Sequence, residues 1–350
     1  MLCRIGADCA VTIHDISKLA NVSVATVSRV LNGNPNVTEK TREKVMAVIQ
    51  EKNYTPNAFA RGLGLDTMRT VGILCVDPAD PDACPSLQFA IGYVQRELRK
   101  QNFDSLLYCV GYDMQEKERS IQAMLDRRVD SIIIIGSFFI ESNAKNNLCI
   151  LRAAQSTPIW LINGRLDNVP NVYCACCDDF DGARAATKAL IDSGSRDILM
   201  LHYSDTYSEH QKIEGYKRAL LEAGLVLRED YICECATDVQ EVAEKLSTLL
   251  SRGIRFDGLF ATEDELAVGV LKYMGENGIA VPESLRVSGY SNSKLSLFST
   301  PELTSVDQNI ESLCIMTVAL LINQLRGMKT PALTTVKADV VYRKSLPGPQ

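Results

Sequence analysis

Val24, Ala25, Ser28 and Arg29 fall on one side of a short helical pattern, with Val27, Val30 and Leu31 on the other. A guanidinium beside small side chains can present two parallel N–H donors to paired acceptors, such as the O6 and N7 edge of guanine. Ser23 supplies a hydroxyl cap just before this helix. A first pattern, Thr12 to Ala20, opens on a capping box with Asp15 in the usual place of Glu. Ile13, Ile16, Leu19 and Ala20 give it an apolar face. Asn21-Val22-Ser23 separates the two, and asparagine tolerates the left-handed backbone of a tight turn. Two short crossed helices, the second exposing small and basic residues, make a helix-turn-helix that fits a major groove. Taken alone, the same pattern also serves a purely structural hairpin.

A second set of polar residues follows from the strands. From Thr70 onward, apolar runs alternate with amphipathic helical patterns: VGILCV (71–76), SLLYCV (105–110), SIIIIG (131–136), IWLIN (159–163), VYCAC (172–176), DILMLH (197–202), YICEC (231–235), GLFAT (258–262) and RVSGY (286–290). Continuous apolar strands between helices predict parallel sheets covered on both faces. About 275 residues exceed one ordinary domain, so two doubly wound lobes are expected. Ligands of such sheets bind beyond the carboxyl ends of the strands. Those ends carry Asp77, Ser137 with Phe138 and Phe139, Asn163, His202 with Ser204, Thr262 with Asp264, and Ser291 with Asn292. Carboxylates and amides suit hydroxyls, and an aromatic pair suits the apolar side of a ring. No glycine-rich phosphate loop accompanies them. Trp160 points away from this set, opposite to Leu161 and Asn163. Each of these polar residues alone also reads as a helix cap or turn residue, as Asp264 does before Glu265.

The 350 residues are 46% hydrophobic and 23% charged, the balance of a globular protein with full cores. No apolar run reaches the ~18 residues of a membrane helix, and MLCRIGADCA has no apolar core of a secretory signal. A cytoplasmic protein with no membrane partner is the expectation. The net charge of −6 hides an asymmetry. Residues 1–65 hold eight Lys/Arg against five Asp/Glu, a balance of +3, and the rest carries −9. A small basic head on an acidic body suits phosphate contact by the head alone, with affinity depending on two heads acting together. The 12 cysteines are irregularly spaced. Cys174, Cys176 and Cys177 cluster, but a closed zinc site needs a fourth ligand, and the chain has only His14, His202 and His210. VYCACC alternates as a strand, so free thiols acting as small core residues are expected, with no metal and no cofactor.

The string TIHDISKLANVSVATVSRVLN (12–32) resembles the opening of the LacI/GalR family of bacterial transcription regulators, with Ile16, Ser17 and Asn21 in place of its usual Val, Ala and Gly. VTEKTREKV (37–45) and NYTPNAFARGL (53–63) continue the likeness. The resemblance implies an α/β protein with a helix-turn-helix head (11–55), a hinge helix (56–66) and a periplasmic-binding-protein-like core (70–345). That core would have two subdomains joined by three crossover strands, an N-subdomain of about 70–163 and 291–323 and a C-subdomain of about 164–290 and 324–345. It assigns DNA contact to Thr12, Ser23, Val24 and Ala25, to Thr26, Ser28, Arg29 and Asn32, and to Asn57, Ala60 and Leu63 of the hinge. Asn57 is a good N-cap there, and Ala58, Ala60 and Leu63 share one face of a helix too short to stand alone. Gly62, often Ser in relatives, weakens it further, by up to about 1 kcal/mol. Such a hinge orders on DNA, where Leu63 wedges into the minor groove. Val11 sits where relatives commonly begin with Met, so residues 1–10 read as a disordered extension or a mis-annotated start.

In the core, FATEDELAVG (260–269) is similar to the family's F-A-x-N-D-x-x-A-x-G, which puts effector hydroxyls on Asp264, with Glu263 replacing the Asn. LIN places an effector contact at Asn163. Before IEGYKRAL (213–220), Lys212 occupies the position of an effector-binding Arg. DPDACPSL (80–87) lacks the aromatics of the family's N-P-F-F. The stretch 289–309 resembles maltose-type members. The effector set is thus Asp77, Phe138, Asn163, Lys212, Asp264 and Asn292. No heptad follows VVYRKS (340–345), so a homodimer on a pseudo-palindromic double-stranded operator is expected. The leading expectation is a repressor of carbohydrate-utilisation genes controlled by a small sugar-like effector. The alternative is a catabolite-control type regulator with a phosphoprotein co-effector. A transport-type sugar binder conflicts with the head. An enzyme would need a Ser/His/Asp set, a metal cluster or paired catalytic carboxylates, and none stands out in the sequence.

Overall fold

The computed structural model describes residues 11–31, 34, 36–52, 54, 68–77, 85–111, 113–140 and 147–348. The chain divides into two units, Met1–Arg69 and Thr70–Gln350. The head holds α1 (Ile13–Leu19), α2 (Val24–Leu31) and α3 (Glu39–Glu51). Ile16, Ala20, Val27, Val30 and Val45 form its core, joined at the margin by Val48, Ile49 and Tyr54. One expectation fails in α1. Leu19 is 53% exposed, and Ser17 takes the buried place. Ile13, Ile16, Ser17 and Ala20 follow the i, i+3, i+4, i+7 stripe, and Leu19 falls on its flank. Residues 1–10, Asn32 and the hinge segment 56–66 lie outside the described residues.

The core unit is built on two six-stranded sheets. The first runs β11-β5-β4-β3-β1-β2 and the second β12-β10-β9-β8-β6-β7. Its strands are β1 (Thr70–Val76), β2 (Asp104–Val110), β3 (Ser131–Ile135), β4 (Ile159–Ile162), β5 (Val172–Cys177), β6 (Ile198–His202), β7 (Ile232–Glu234), β8 (Gly258–Ala261), β9 (Arg286–Tyr290), β10 (Thr304–Asp307), β11 (Leu333–Val336) and β12 (Asp339–Val341). All pairings within the sheets are parallel except β10 with β12. Both sheets have the doubly wound 2-1-3-4-5 order, with the switch point between the first and third strands.

Successive side chains of a strand enter opposite layers. Val71, Ile73, Ile133 and Trp160 pack with Val94 and Leu98 of α4 (Pro85–Lys100) and with Leu313, Val318 and Leu321 of α11 (Ile310–Leu325). Leu74, Ile132, Ile134 and Leu161 pack on the other face with α5 (Met114–Asp126) and α6 (Leu148–Ala153). In the second sheet, Leu199, Leu201, Leu259 and Val287 meet α9 (Val239–Ser251) and α10 (Asp264–Glu276). Met200, Phe260 and Tyr290 meet α7 (Asp179–Asp192) and α8 (Tyr207–Glu222). A Cβ on Gly215 would lie 2.2 Å from the carbonyl oxygen of Phe180, so only glycine lets α8 approach α7 this closely.

The chain changes sheet three times: after Cys177, after Asp307, and between Val336 and Asp339. The expected subdomain boundaries at 163/164, 290/291 and 323/324 are corrected accordingly. β5 pairs with β4 in the first sheet, β10 pairs with β9 in the second, and β11 returns to pair with β5. TSVD and LTTV are short and rich in Ser and Thr, and DVV is only three residues long. Such segments become strands through their neighbours' open edges rather than through their own periodicity. The thiols of β5 point alternately into the two layers, Cys174 and Cys176 into one and Cys177 into the other. Burial pushes the Cys176 thiol up to about 12. Among the described residues, no group of three or more His, Cys, Asp and Glu is placed to hold a metal, and no helix is long and apolar enough to cross a membrane.

Candidate DNA-reading helix and effector cleft

In the head, Thr12 closes the capping box: its hydroxyl and its backbone N–H donate to Asp15 Oδ2 at 2.6 and 2.9 Å. The hydrogen bond from Thr12 also holds the Asp15 carboxyl below its usual range. Asn21 takes the left-handed conformation, φ 47°, between α1 and α2. Ser23 Oγ accepts the Thr26 N–H at 3.1 Å and starts α2. Val27 and Val30 are then buried, Val24, Thr26 and Ser28 are half-buried, and Ala25 and Arg29 are exposed. The result is a short capped helix that turns small side chains and one guanidinium outward, the shape and chemistry a major groove accepts.

In the core, a cavity opens where the carboxyl ends of β3, β4, β6, β8 and β10 converge. Ser137, Phe138, Asn163 and Gln308 line it from one side, and Tyr203, Ser204, Thr206, Ser208, Glu209, Lys212 and Glu263 from the other. Its floor is an ion cluster. Lys212, 1% exposed, donates to Glu209 Oε1 at 2.7 Å, to the Thr262 carbonyl at 2.9 Å and to Glu263 Oε1 at 3.1 Å. Its ammonium also lies 4.5 Å from the centroid of the Tyr290 ring. Burial works against the ammonium, but the charges of Glu209, Glu263 and Asp179 outweigh it, so Lys212 stays charged well above its ordinary range. Glu263 Oε2 accepts the Ser291 hydroxyl at 2.6 Å. Asp179, beneath, accepts from Ser208 at 2.6 Å and Tyr290 at 2.8 Å, and burial raises its carboxyl to about 6 despite Lys212. Over this floor Phe138, just after β3, meets Tyr203, just after β6, edge to face at 5.8 Å.

Two segments of the chain match known families. Residues 12–57 match the model of bacterial regulatory proteins of the lacI family, and 187–346 match a periplasmic binding protein-like domain. The chain is 43% identical over 333 residues to an HTH-type transcriptional regulator of Lachnoclostridium phytofermentans, covering 95% of this chain and 98% of that one. The chain belongs to the LacI family. It is also 31% identical to the HTH-type transcriptional regulator AscG of Escherichia coli, over 97% of this chain and 99% of that one. Among solved structures it is similar to a complex of the transcriptional regulator CelR with cellobiose, at 26% identity and a TM-score of 0.71, covering 96% of this chain and 99% of that one. The protein is thus a LacI-family DNA-binding transcriptional regulator, of a non-enzymatic family.

Of the residues the sequence proposed for the effector, three line the cavity: Phe138, Asn163 and Lys212. Ser137 and Ser204, also read as strand ends, join them. Asn163 adopts φ 54°, and its Oδ1 accepts the Cys177 N–H at 3.0 Å, which fixes the side chain at the lobe crossing. Asp264 does not reach the cavity. It is fully buried, with Oδ1 accepting from Ser305 Oγ and Oδ2 from the Ser293 N–H, each at 2.6 Å. The preceding Glu263 has extended backbone and faces the cleft instead. Consecutive residues at a helix start point in directions about 100° apart, so one of the pair Glu263-Asp264 faces the ligand space and the other the core.

Asn292 is likewise not on the cavity wall: its amide donates to Asp307 at 3.0 Å and accepts from Arg343 at 2.6 Å, joining β9, β10 and the C-terminal segment. Asp77 is exposed at the end of β1 and is not among the described residues that line the cavity. The aromatic-poor segment 80–84 lies outside the described residues. Glu209 and Glu263 escaped notice as site residues. Glu209 stands three residues after Thr206, whose hydroxyl accepts its N–H at 3.4 Å, and three before Lys212, a spacing that signals both a cap and an ion pair.

Burial pushes the Asp264 carboxyl up to about 7. A folded-state value above the unfolded one means the native protein binds the extra proton between those two values, so this group's contribution weakens as pH rises through them. Asp264→Asn keeps one of the two acceptor oxygens, puts an N–H donor in place of the other, and cannot ionise. Relative to the parent protein, the variant is therefore expected to gain about 2–3 kcal/mol between pH 5 and pH 8 in urea unfolding. A difference that does not change with pH would show that Asp264 is ionised at little cost in the fold.

Proposed function

We propose that the protein is a homodimeric, cytoplasmic repressor of carbohydrate-utilisation genes, released or retained on a pseudo-palindromic operator by an uncharged, hydroxyl-rich effector in the core cleft. The observation that carries the effector class is Lys212 held between Glu209 and Glu263. The cation on the cleft floor is already neutralised, and the second carboxylate leaves the lining with a negative excess. An anionic ligand would meet that excess in a poorly hydrated space. Hydroxyl groups can donate to the carboxylates and accept from the serine, threonine and amide groups around them. The Phe138–Tyr203 pair offers an apolar face to a sugar ring. The relative solved with cellobiose supports the same class. In the head, Arg29, Ala25 and the half-buried Val24, Thr26 and Ser28 are the base-reading set, Thr12 and Ser23 hold the helix ends near the backbone, and Asn32, Asn57, Ala60 and Leu63 complete the surface on the sequence argument alone.

Calorimetry with glucose, cellobiose and maltose against glucose 6-phosphate tests the class. The expected result is binding of at least one neutral sugar, with the phosphate ester about tenfold weaker than glucose or absent. Tighter binding of the ester than of all three neutral sugars would reverse the reading.

A further inference from the structure

The cleft cavity itself holds only about 30 Å³, while a groove of about 670 Å³ adjoins it. Phe138, Tyr203 and Ser204 line both, so the two spaces meet at the aromatic pair. Beyond that junction the groove runs between the end of β7 and α9 and presents Glu234, Thr237, Glu241 and Lys245. Glu241 and Lys245 are one helical turn apart and face the same way. Thr237 lies just before the Asp238 cap that starts α9. This wall has the same mix of carboxylate, hydroxyl and ammonium as the cleft, and no element of the described chain fills it. The Lys212 cluster occupies the cleft floor, so the free space lies outward, past Tyr203.

We propose that the effector is disaccharide-sized, with one ring at the Phe138–Tyr203 pair sending only its hydroxyl edge toward the Lys212 floor, and the second ring beyond that pair in the groove along α9. This rests on the effector class proposed above. A ligand confined to the cleft would leave the groove to solvent. A two-ring ligand joins both spaces and uses the aromatic pair at its first ring, which has an apolar face to meet there. The second ring gains hydrogen bonds to Glu241 and Lys245 that a single ring cannot make.

Calorimetry on the full chain with glucose, cellobiose and maltose decides the matter, repeated with Glu241→Ala and Lys245→Ala. One of the two disaccharides is expected to bind at least about tenfold tighter than glucose, and each variant to shrink that ratio to about threefold or less. The ratio is internal to each protein sample, so a loss of folded material does not mimic the effect. Equal affinity for glucose and both disaccharides, or a ratio unchanged in both variants, overturns the two-ring site while leaving the cleft reading standing. Absence of binding by all three sugars overturns both.

Discussion

Replacing Lys212 with Met is expected to destabilise the core by about 3–5 kcal/mol at neutral pH, because it strands Glu209 and Glu263 together in a buried site. The cluster is nearly sealed: side-chain exposure is 1% at Lys212, 2% at Glu209 and 6% at Glu263. With the ammonium gone, the two carboxylates repel each other and lack their shared donor, so their proton affinity rises. The variant's folded state then binds protons that its unfolded state releases, and its stability must improve as pH falls. Urea unfolding at pH 5.5 and 7.5 reads this directly: the deficit against the parent protein should be larger at pH 7.5. Adding Glu209→Gln to Lys212→Met should recover part of the loss, since it removes one of the stranded charges. A deficit below about 1 kcal/mol at both pH values would show that water, rather than Lys212, satisfies these carboxylates.

Arg29→Ala should cost about 1–3 kcal/mol per half-site on the specific operator, and about twice that where two heads bind together. Arg29 is exposed at the last turn of α2, with its neighbours Val27 and Val30 fixed in the core. Its loss removes a bidentate donor without disturbing the head's packing, so the folding of the head should be unaffected. A duplex obtained by selection from random sequence, then varied one base pair at a time, gives the readout. The parent protein should discriminate strongly at one G·C pair per half-site, and the variant should tolerate all four pairs there. Uniform weakening across every duplex would instead make Arg29 a phosphate contact.

The parts of the molecule that sequence reveals are those where chemistry is local. Thr12 with Asp15, Asn21 and Ser23 announce the caps and turn of the head through residue type alone, and each is found in that role. Long apolar runs such as SIIII announce β3 without reference to any partner. Leu19 departs from its expected apolar face because a seven-residue helix contains too few turns to define that face. β10, β11 and β12 carry no strand signal of their own because TSVD, LTTV and DVV owe their conformation to the edges of β9, β5 and β10. The cleft follows the same division. Phe138 and Asn163 stand at ends of strands that can be read directly, while Lys212 was found only through family likeness. Glu263 and Asp264 are neighbours with similar side chains, and only the direction of the first turn of α10 decides which one meets the cleft. The Lys212–Glu209–Glu263 cluster joins α8 to the end of β8 across 50 residues, a pairing without a local signature.

The claim that unites head and cleft is that effector and operator bind with mutual influence, and one titration tests it. The full chain is titrated onto its selected, fluorescently labelled duplex by anisotropy, alone and with glucose, cellobiose or maltose at high concentration. Reciprocal coupling of the usual size predicts that a sugar which binds in calorimetry changes duplex affinity by about 5- to 150-fold. A sugar that binds the protein yet leaves duplex affinity unchanged would contradict the account.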